Sequence, residues 1–365
     1  MPQDFLLKLV QQRLDGFCEE KRSQLAEISP DLVPIIDYTQ AMLAGGKRFR
    51  ALFCFWSWAG YQGAEISEQD LSLDSPIVGV AAALEMFHAA ALVHDDLLDQ
   101  SDTRRGQPAI HKRFEALHLQ HGYSGSAIRF GVAGSVLTGD LLLAWSSELF
   151  GSALRDVNPD SEANCRKQFS QMRFEVMAGQ YLDVLEENAA PTRNPSEAVA
   201  IANRVMLYKT AKYSLEAPLL IGAALSGVGE DTLSALSQFG IPLGLAFQLR
   251  DDVLGVFGDP SVTGKPAGDD LREGKRTVLV GLTLESVPAS VSKIFNELLM
   301  AGEIEEEQLD FMRRTITDSG SLAKTERLIE EHSNRAIEAL ANLEVTGQAR
   351  KMLSYLTEKV INRQA

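Results

Sequence analysis

PIVGVAAALEMFHAAALVHDDLLD, residues 76–99, decides the fold. From Pro76 to Val93 the run is apolar nearly all round, interrupted only by Glu85 and His88. A helix of that kind lies at the centre of a bundle, covered by other helices. It then ends in His94-Asp95-Asp96-Leu97-Leu98-Asp99. Asp95 and Asp99 share one helical face. Adjacent carboxylates at the end of an apolar helix repel each other and lose hydration. A hard cation answers both costs, and magnesium is usually held by one or two carboxylates plus substrate phosphates.

A second stretch repeats the arrangement. The apolar run Ile241–Ala246 leads into Phe247-Gln248-Leu249-Arg250-Asp251-Asp252. Either cluster alone also reads as a solvated helix end. Both, however, precede a long polar loop, 99–125 and 258–270, and long loops in compact domains tend to be functional or disordered. Cations answer the carboxylates: Gly45-Gly46-Lys47-Arg48-Phe49-Arg50, Arg104-Arg105, Lys209-Thr210 with Lys212, Lys265, and Lys275-Arg276. Arginine offers phosphate oxygens a planar fork and lysine a point charge. Carboxylates, divalent ions and cations together suit a diphosphate. No GxxxxGK[ST] loop is present, which argues against a P-loop nucleotide enzyme. His111, His118 and His121 lack the cysteine partners or HExxH spacing of a zinc site.

The remaining chain is helical in pattern. Amphipathic or apolar periodicity covers 31–58, 71–98, 126–156, 162–187, 196–226 and 230–257, and three or four shorter helices are expected within 287–362. Residues 99–125, 188–195 and 258–270 read as non-helical. Long central helices surrounded by others point to a single all-α domain over 1–365. The 365 residues are 45% hydrophobic, ample for a buried core, and carry a formal charge of -15. That balance argues against a nucleic-acid partner. Three separated cysteines, Cys18, Cys54 and Cys165, give no disulfide framework. The N-terminus lacks the features of a signal peptide, and no uncharged run of about 18 apolar residues suggests a membrane span. The expected location is the cytoplasm.

The motifs GGKRFR (45–50), EMFHAAALVHDDLLDQSDTRRGQPAIH (85–111), GD (139–140), GQYLD (179–183), KTAKYS (209–214), FQLRDD (247–252) and GDPSVTGK (258–265) stand in one order. In this the sequence resembles the trans-prenyl diphosphate synthases, the farnesyl and geranylgeranyl diphosphate synthase type, over roughly 40–285. The resemblance implies a large helical bundle of the isoprenoid synthase type with a deep central cavity, acting as a homodimer. It implies condensation of isopentenyl diphosphate with allylic diphosphates (dimethylallyl, geranyl, farnesyl) and dependence on Mg2+, three ions per site, with Mn2+ as a substitute. Asp95, Asp96 and Asp99 resemble the first metal-binding motif. Asp251 and Asp252 resemble the second, with Asp270 as an outer partner. Arg104, Lys209 and Lys265 are implied to hold the allylic diphosphate, with Lys275 nearby. Lys47, Arg50, His88 and Arg105 are implied to hold isopentenyl diphosphate. Thr210 and Gln248 resemble the dipoles that stabilise the carbocation.

Two departures stand out. The second motif is usually DDxxD, but its last place is Gly255, with Asp259 or Asp270 as candidates to replace the missing carboxylate. Ala51 stands where proline is common. The first cluster is complete. Diphosphate leaves carbon only when its charge is neutralised, and the allylic cation must be kept from water. The growing chain is expected to run down an apolar shaft beneath Asp95. Ala90 and Ala91, about one turn above Asp95, are small, and Phe87 lies about one turn deeper. A turn rises about 5.4 Å, near one isoprene unit, so a floor at Phe87 predicts geranylgeranyl diphosphate. If Phe87 is ordinary core, a longer polyprenyl product is expected. A class I terpene cyclase would have a different second metal motif and no GGKRFR. A regulatory, non-catalytic subunit of a heteromeric synthase would be expected to lose Asp95, Arg104 or Lys209, all of which are present.

Overall fold

Apolar residues recurring at helical spacing fold as helices almost throughout. The computed structural model describes residues 2–258, 268–302 and 304–362. Its helices in chain order are α1 (Pro2–Ile28), α2 (Val33–Leu43), α3 (Phe49–Gly60), α4 (Pro76–Leu98), α5 (Ile110–Gln120), α6 (Ala127–Ala153), α7 (Pro159–Ala189) and α8 (Ala198–Val205). A π-helix, π1 (Met206–Glu216), continues into α9 (Ala217–Leu225). Then follow α10 (Glu230–Phe257), α11 (Asp269–Arg272), α12 (Val278–Ser286), α13 (Ala289–Leu299), α14 (Glu306–Asp318), α15 (Ser321–Asn342) and α16 (Gly347–Ile361). The strands β1 (Thr103–Arg104) and β2 (Gln107–Pro108) form a short antiparallel hairpin, with Thr103 opposite Pro108. The chain divides into two compact units, Met1–Glu162 and Ala163–Ala365.

The first unit is built round α4. Pro76 opens the helix where its missing N–H costs nothing. Helices α1, α3 and α6 pack on it. Ile77, Val80, Leu84, Phe87 and Val93 are sealed from solvent, each such side chain contributing about 1.5–3 kcal/mol on burial. Helix α4 stops at Asp99, and Gln100 turns to a φ of 53°, which sends the chain into the hairpin.

In the second unit, α10 is the central element, packed by π1, α9, α15 and α16. Leu249 and Val253 on α10 join Met206 and Ile329 in one core cluster. Val256 joins Leu271, Leu279, Phe295 and Met312 in another.

Four expectations need correction. The periodic run 31–58 is two helices, because Gly45, Gly46 and Arg48 all adopt positive φ and break the chain between α2 and α3. The stretch 99–125 is not without helix. Ile110, Phe114 and His118 recur every four residues and are the buried stripe of α5, which the surrounding charges masked. The run 196–226 is not a uniform α-helix, since π1 interrupts it. Helix α1 is a further element, its face marked by buried Leu6, Val10 and Leu14. The four helices α13 to α16 match the expected C-terminal region.

Helices α4 and α6 are long and apolar enough to cross a membrane, though α4 is largely buried inside its unit. Cys18, Cys54 and Cys165 are buried and unbridged. Burial, reinforced by Asp15, pushes the Cys18 thiol up to about 12, so it stays protonated and inert.

Candidate active site

The last turn of α4 and the hairpin after it bring the first cluster together. Asp96 is 0% exposed. Arg104 on β1 donates from Nε to Asp96 Oδ1 at 2.6 Å, and a second Arg104 nitrogen reaches the same oxygen. Arg104 Nη2 also lies 3.5 Å from Asp95 Oδ2. Burial raises the pKa of Asp96 and the bond from Arg104 opposes it, while Asp95 and Asp99 push it further up. Burial works against the Arg104 charge, but Asp96, Asp95 and Asp99 outweigh it, so the guanidinium is held more firmly protonated. Asp95 and Asp99 remain partly exposed. One arginine therefore ties the two adjacent carboxylates to the loop that follows them.

A cationic cradle lies in the same unit. Burial drives the His88 pKa well down, and Arg50, Arg105, Arg104 and Arg48 add to the effect. Both effects favour the neutral imidazole. Gly46, at a φ of 92°, leaves room for Arg105, whose guanidinium nitrogen would stand 3.0 Å from any Cβ placed there. Arg105 itself has φ 53°. Lys47 is exposed and Arg50 partly so. Their neighbour Arg48 turns inward: it is 8% exposed, donates to Leu43 O at 2.6 Å, and sits 3.7 Å from buried Glu85. Glu85 Oε1 also accepts the Ala51 N–H at 3.2 Å. Of the three cations in GGKRFR, one is thus a strut for the turn. Within α4, Phe87 and Ala90 are completely buried, and Ala91, on the Asp95 face, is half-buried.

The second unit holds the other residues. Lys209 in π1 is bonded to Asp183 of α7. Lys212 Nζ donates to Glu175 Oε1 at 2.5 Å and lies 3.8 Å from Glu216 Oε2. Thr210 is partly exposed between them. A π-helix is wider than an α-helix and needs space. Gly179 and Gly244 provide it: a Cβ on Gly179 would stand 2.4 Å from the Lys209 nitrogen, and one on Gly244 2.5 Å from Ala211 Cα. On α10, Gln248 Nε2 donates to Asp252 Oδ1 at 2.8 Å. Asp252 is 4% exposed, and Asp251 is partly exposed. Lys275 Nζ lies 2.6 Å from Glu273 and 3.9 Å from Asp270 Oδ1. Lys265 and Asp259 lie outside the described residues.

Over residues 34–316 the sequence matches the polyprenyl synthetase family. The chain belongs to that family. It is 30% identical to the geranylfarnesyl diphosphate synthase of Aeropyrum pernix, over 88% of this chain and 91% of that one. It is 29% identical to the geranylgeranyl diphosphate synthase of Sulfolobus acidocaldarius, over 88% of each. Among solved structures it resembles a geranylgeranyl pyrophosphate synthase of Corynebacterium glutamicum complexed with isoprenyl diphosphate and magnesium. That match has a TM-score of 0.90 and 33% identity, and covers 98% of this chain and 99% of the other. The fold is the all-helical isoprenoid synthase fold of this family.

The carboxylates fit a divalent cation. Among the described residues no three His, Cys, Asp or Glu side chains form a ready-made cage. Magnesium does not need one, because substrate phosphates and water complete its shell. What the chain has is buried carboxylate that its own side chains do not fully satisfy. Asp96 Oδ2 is buried with no hydrogen-bond partner. Asp252 has its pKa pushed well up by burial, then by Asp270 and Asp251, against the opposing Gln248 bond and Lys275. Such a deficit is what a bound cation relieves. Glu175, the partner of Lys212, carries no distinct mark in the sequence, and nothing there marks Arg48 as turned inward. Asp183 stands in GQYLD, but its pairing with Lys209 depends on how close α7 approaches π1.

Proposed function

We propose that the chain is a trans-prenyl diphosphate synthase that joins isopentenyl diphosphate to an allylic diphosphate in the presence of Mg2+, with geranylgeranyl diphosphate as product. The observation that carries the reading is Arg104 locked onto Asp96 beside Asp95, in one unit with arginines gathered round neutral His88. In that reading Asp95 and Asp99 are metal ligands, and so is Asp251. Bound Mg2+ would neutralise the diphosphate so that it can leave. Arg104 and Lys209 take the leaving oxygens, while Lys47, Arg50 and Arg105 fix the second diphosphate and His88 donates a hydrogen bond to it. Thr210 and Gln248 turn their dipoles to the developing cation. The departing diphosphate accepts the final proton, so no side chain is required as base.

Product length follows from α4. Ala91 is small and Phe87, one turn deeper, is fully buried, which supports a floor at Phe87. Small Ala90 and Ala91 also favour a second reading, a longer product, if Phe87 yields. The test is incubation of the purified chain with radiolabelled isopentenyl diphosphate, an allylic primer and Mg2+, followed by chromatography of the dephosphorylated products. Geranylgeraniol is expected, with no product in excess EDTA. Absence of incorporation with every primer would favour a non-catalytic subunit, and a released hydrocarbon a cyclase. Phe87→Ala should lengthen the product, and an unchanged product would remove Phe87 as the floor.

A further inference from the structure

We infer that the cavity between the end of α7, α8 and the start of α12 is a binding site for a small phosphate-type oxyanion, with Arg276 as its cation. All of its lining residues belong to the second unit. The inference does not depend on the reaction proposed above.

Arg276 lines the cavity just before α12. Its Nη1 donates to Asn296 Oδ1, and its Nε is buried with no hydrogen-bond partner. Among the described residues no carboxylate pairs with this guanidinium. Two other arginines show what is missing. Arg104 turns Nε and Nη2 onto Asp96, and Arg193 turns the same edge onto Glu186, at 3.1 and 2.6 Å. That edge is the fork with which arginine grips a carboxylate or a phosphate. In Arg276 it meets no acceptor. Burial pushes the Arg276 pKa down, opposed by Glu187. A buried charged donor without an acceptor is costly, and an anion in the cavity removes that cost.

The other polar groups of the lining have spent their acceptors and keep their donors. Asn296 Oδ1 takes the bond from Arg276, Asn194 Oδ1 accepts the Ser196 N–H at 3.2 Å, and Thr277 Oγ1 accepts the Val280 N–H at 3.3 Å. Two amide groups and one hydroxyl are left to donate. Glu186 is 6% exposed and already held by Arg193, so a cation finds no vacant carboxylate here. Helix α12 starts at this wall, and a helix start favours negative charge beside it. The cavity measures about 70 Å³. One water needs about 10–15 Å³, so a compact oxyanion has room. Only Nη1 of Arg276 is tied down, so the guanidinium can swing its bare edge inward. Donors from several walls suit a tetrahedral anion better than a planar carboxylate.

Inorganic phosphate is the probe, titrated calorimetrically in EDTA into wild type, Arg276→Gln, Ala198→Leu and Arg105→Gln, with circular dichroism as the check on folding. Arg105→Gln controls for phosphate taken up by the cradle round His88. Wild type and Arg105→Gln should share one phosphate site that the other two variants lose. Its affinity should fall about tenfold or more in Arg276→Gln, which removes a charged hydrogen-bond donor. Ala198→Leu should lose the site with Arg276 still charged, because Ala198 lines the cavity and leucine fills it. Phosphate should raise the melting temperature of Arg105→Gln more than that of Arg276→Gln. Sulfate should compete for the site more strongly than acetate. Arg276→Gln that binds phosphate as wild type does overturns the inference. So does a wild-type signal abolished by Arg105→Gln alone, or no phosphate binding at all. Acetate competing as well as sulfate would assign the cavity to carboxylates and refute the phosphate class. Should one of the two cavity variants fail to fold, the other decides.

Discussion

Arg104 neutralises a carboxylate that burial would otherwise force to take a proton. Truncating it to alanine leaves Asp96 buried and without its cation, and breaking a buried pair from one side costs about 3–5 kcal/mol. Urea denaturation at neutral pH should show that loss, and it should shrink in acid as Asp96 protonates. A loss that does not depend on pH would point to packing instead. Glu216 gives a second residue-level prediction with the sign fixed in advance. Burial raises its pKa above the ordinary 4.5, while the Ser237 hydroxyl and Lys212 pull the other way. An acid whose folded pKa is raised weakens the fold as pH climbs from the unfolded value through the folded one. Glu216→Gln should therefore melt higher than wild type at pH 8 and no higher below about pH 4.5. A constant difference across that range would disprove the electrostatic cause.

At the scale of elements, the π-helix is the feature on which the Lys209 and Thr210 geometry depends. It persists because α7 and α10 present bare backbone to it at Gly179 and Gly244. Gly244→Val would press a branched side chain against Ala211, and overpacking of this kind costs about 1–3 kcal/mol. The expected result is a folded protein of lower stability whose turnover falls more than the stability loss explains, as Lys209 shifts from Asp183. Steady-state kinetics beside chemical denaturation would separate the two effects. Elements also show what the sequence could and could not reveal. The apolar runs ending in Asp95 and Asp251 were legible because burial and charge collide within a few adjacent residues. Helix α5 was not, because its three buried residues are diluted by charge. The inward turn of Arg48 was hidden because Lys47, Arg48 and Arg50 are chemically alike and differ only in backbone direction. Asp270 could be suspected in the sequence, but its position against Gly255 depends on packing between segments fifteen residues apart.

At the scale of the whole molecule, α6 is the exposed apolar surface. It passes the length and hydropathy test for a membrane span, yet most of its apolar window is not buried. Ile128, Val132, Val136 and Leu137 are exposed along it, Leu137 at 60%. A helix this apolar facing water favours association. We propose that a second copy of the chain covers it, as a two-fold pair brings the same apolar face to itself. Sedimentation of the wild type should then give a dimer of the 39.9 kDa chain. Leu137→Glu should shift it to monomer while circular dichroism stays unchanged, because the position is exposed in the single chain. Flotation with phosphatidylcholine vesicles provides the opposing arm. A wild type that is monomeric and floats with vesicles would assign the face to lipid. A dimer unmoved by Leu137→Glu would place the contact on another surface.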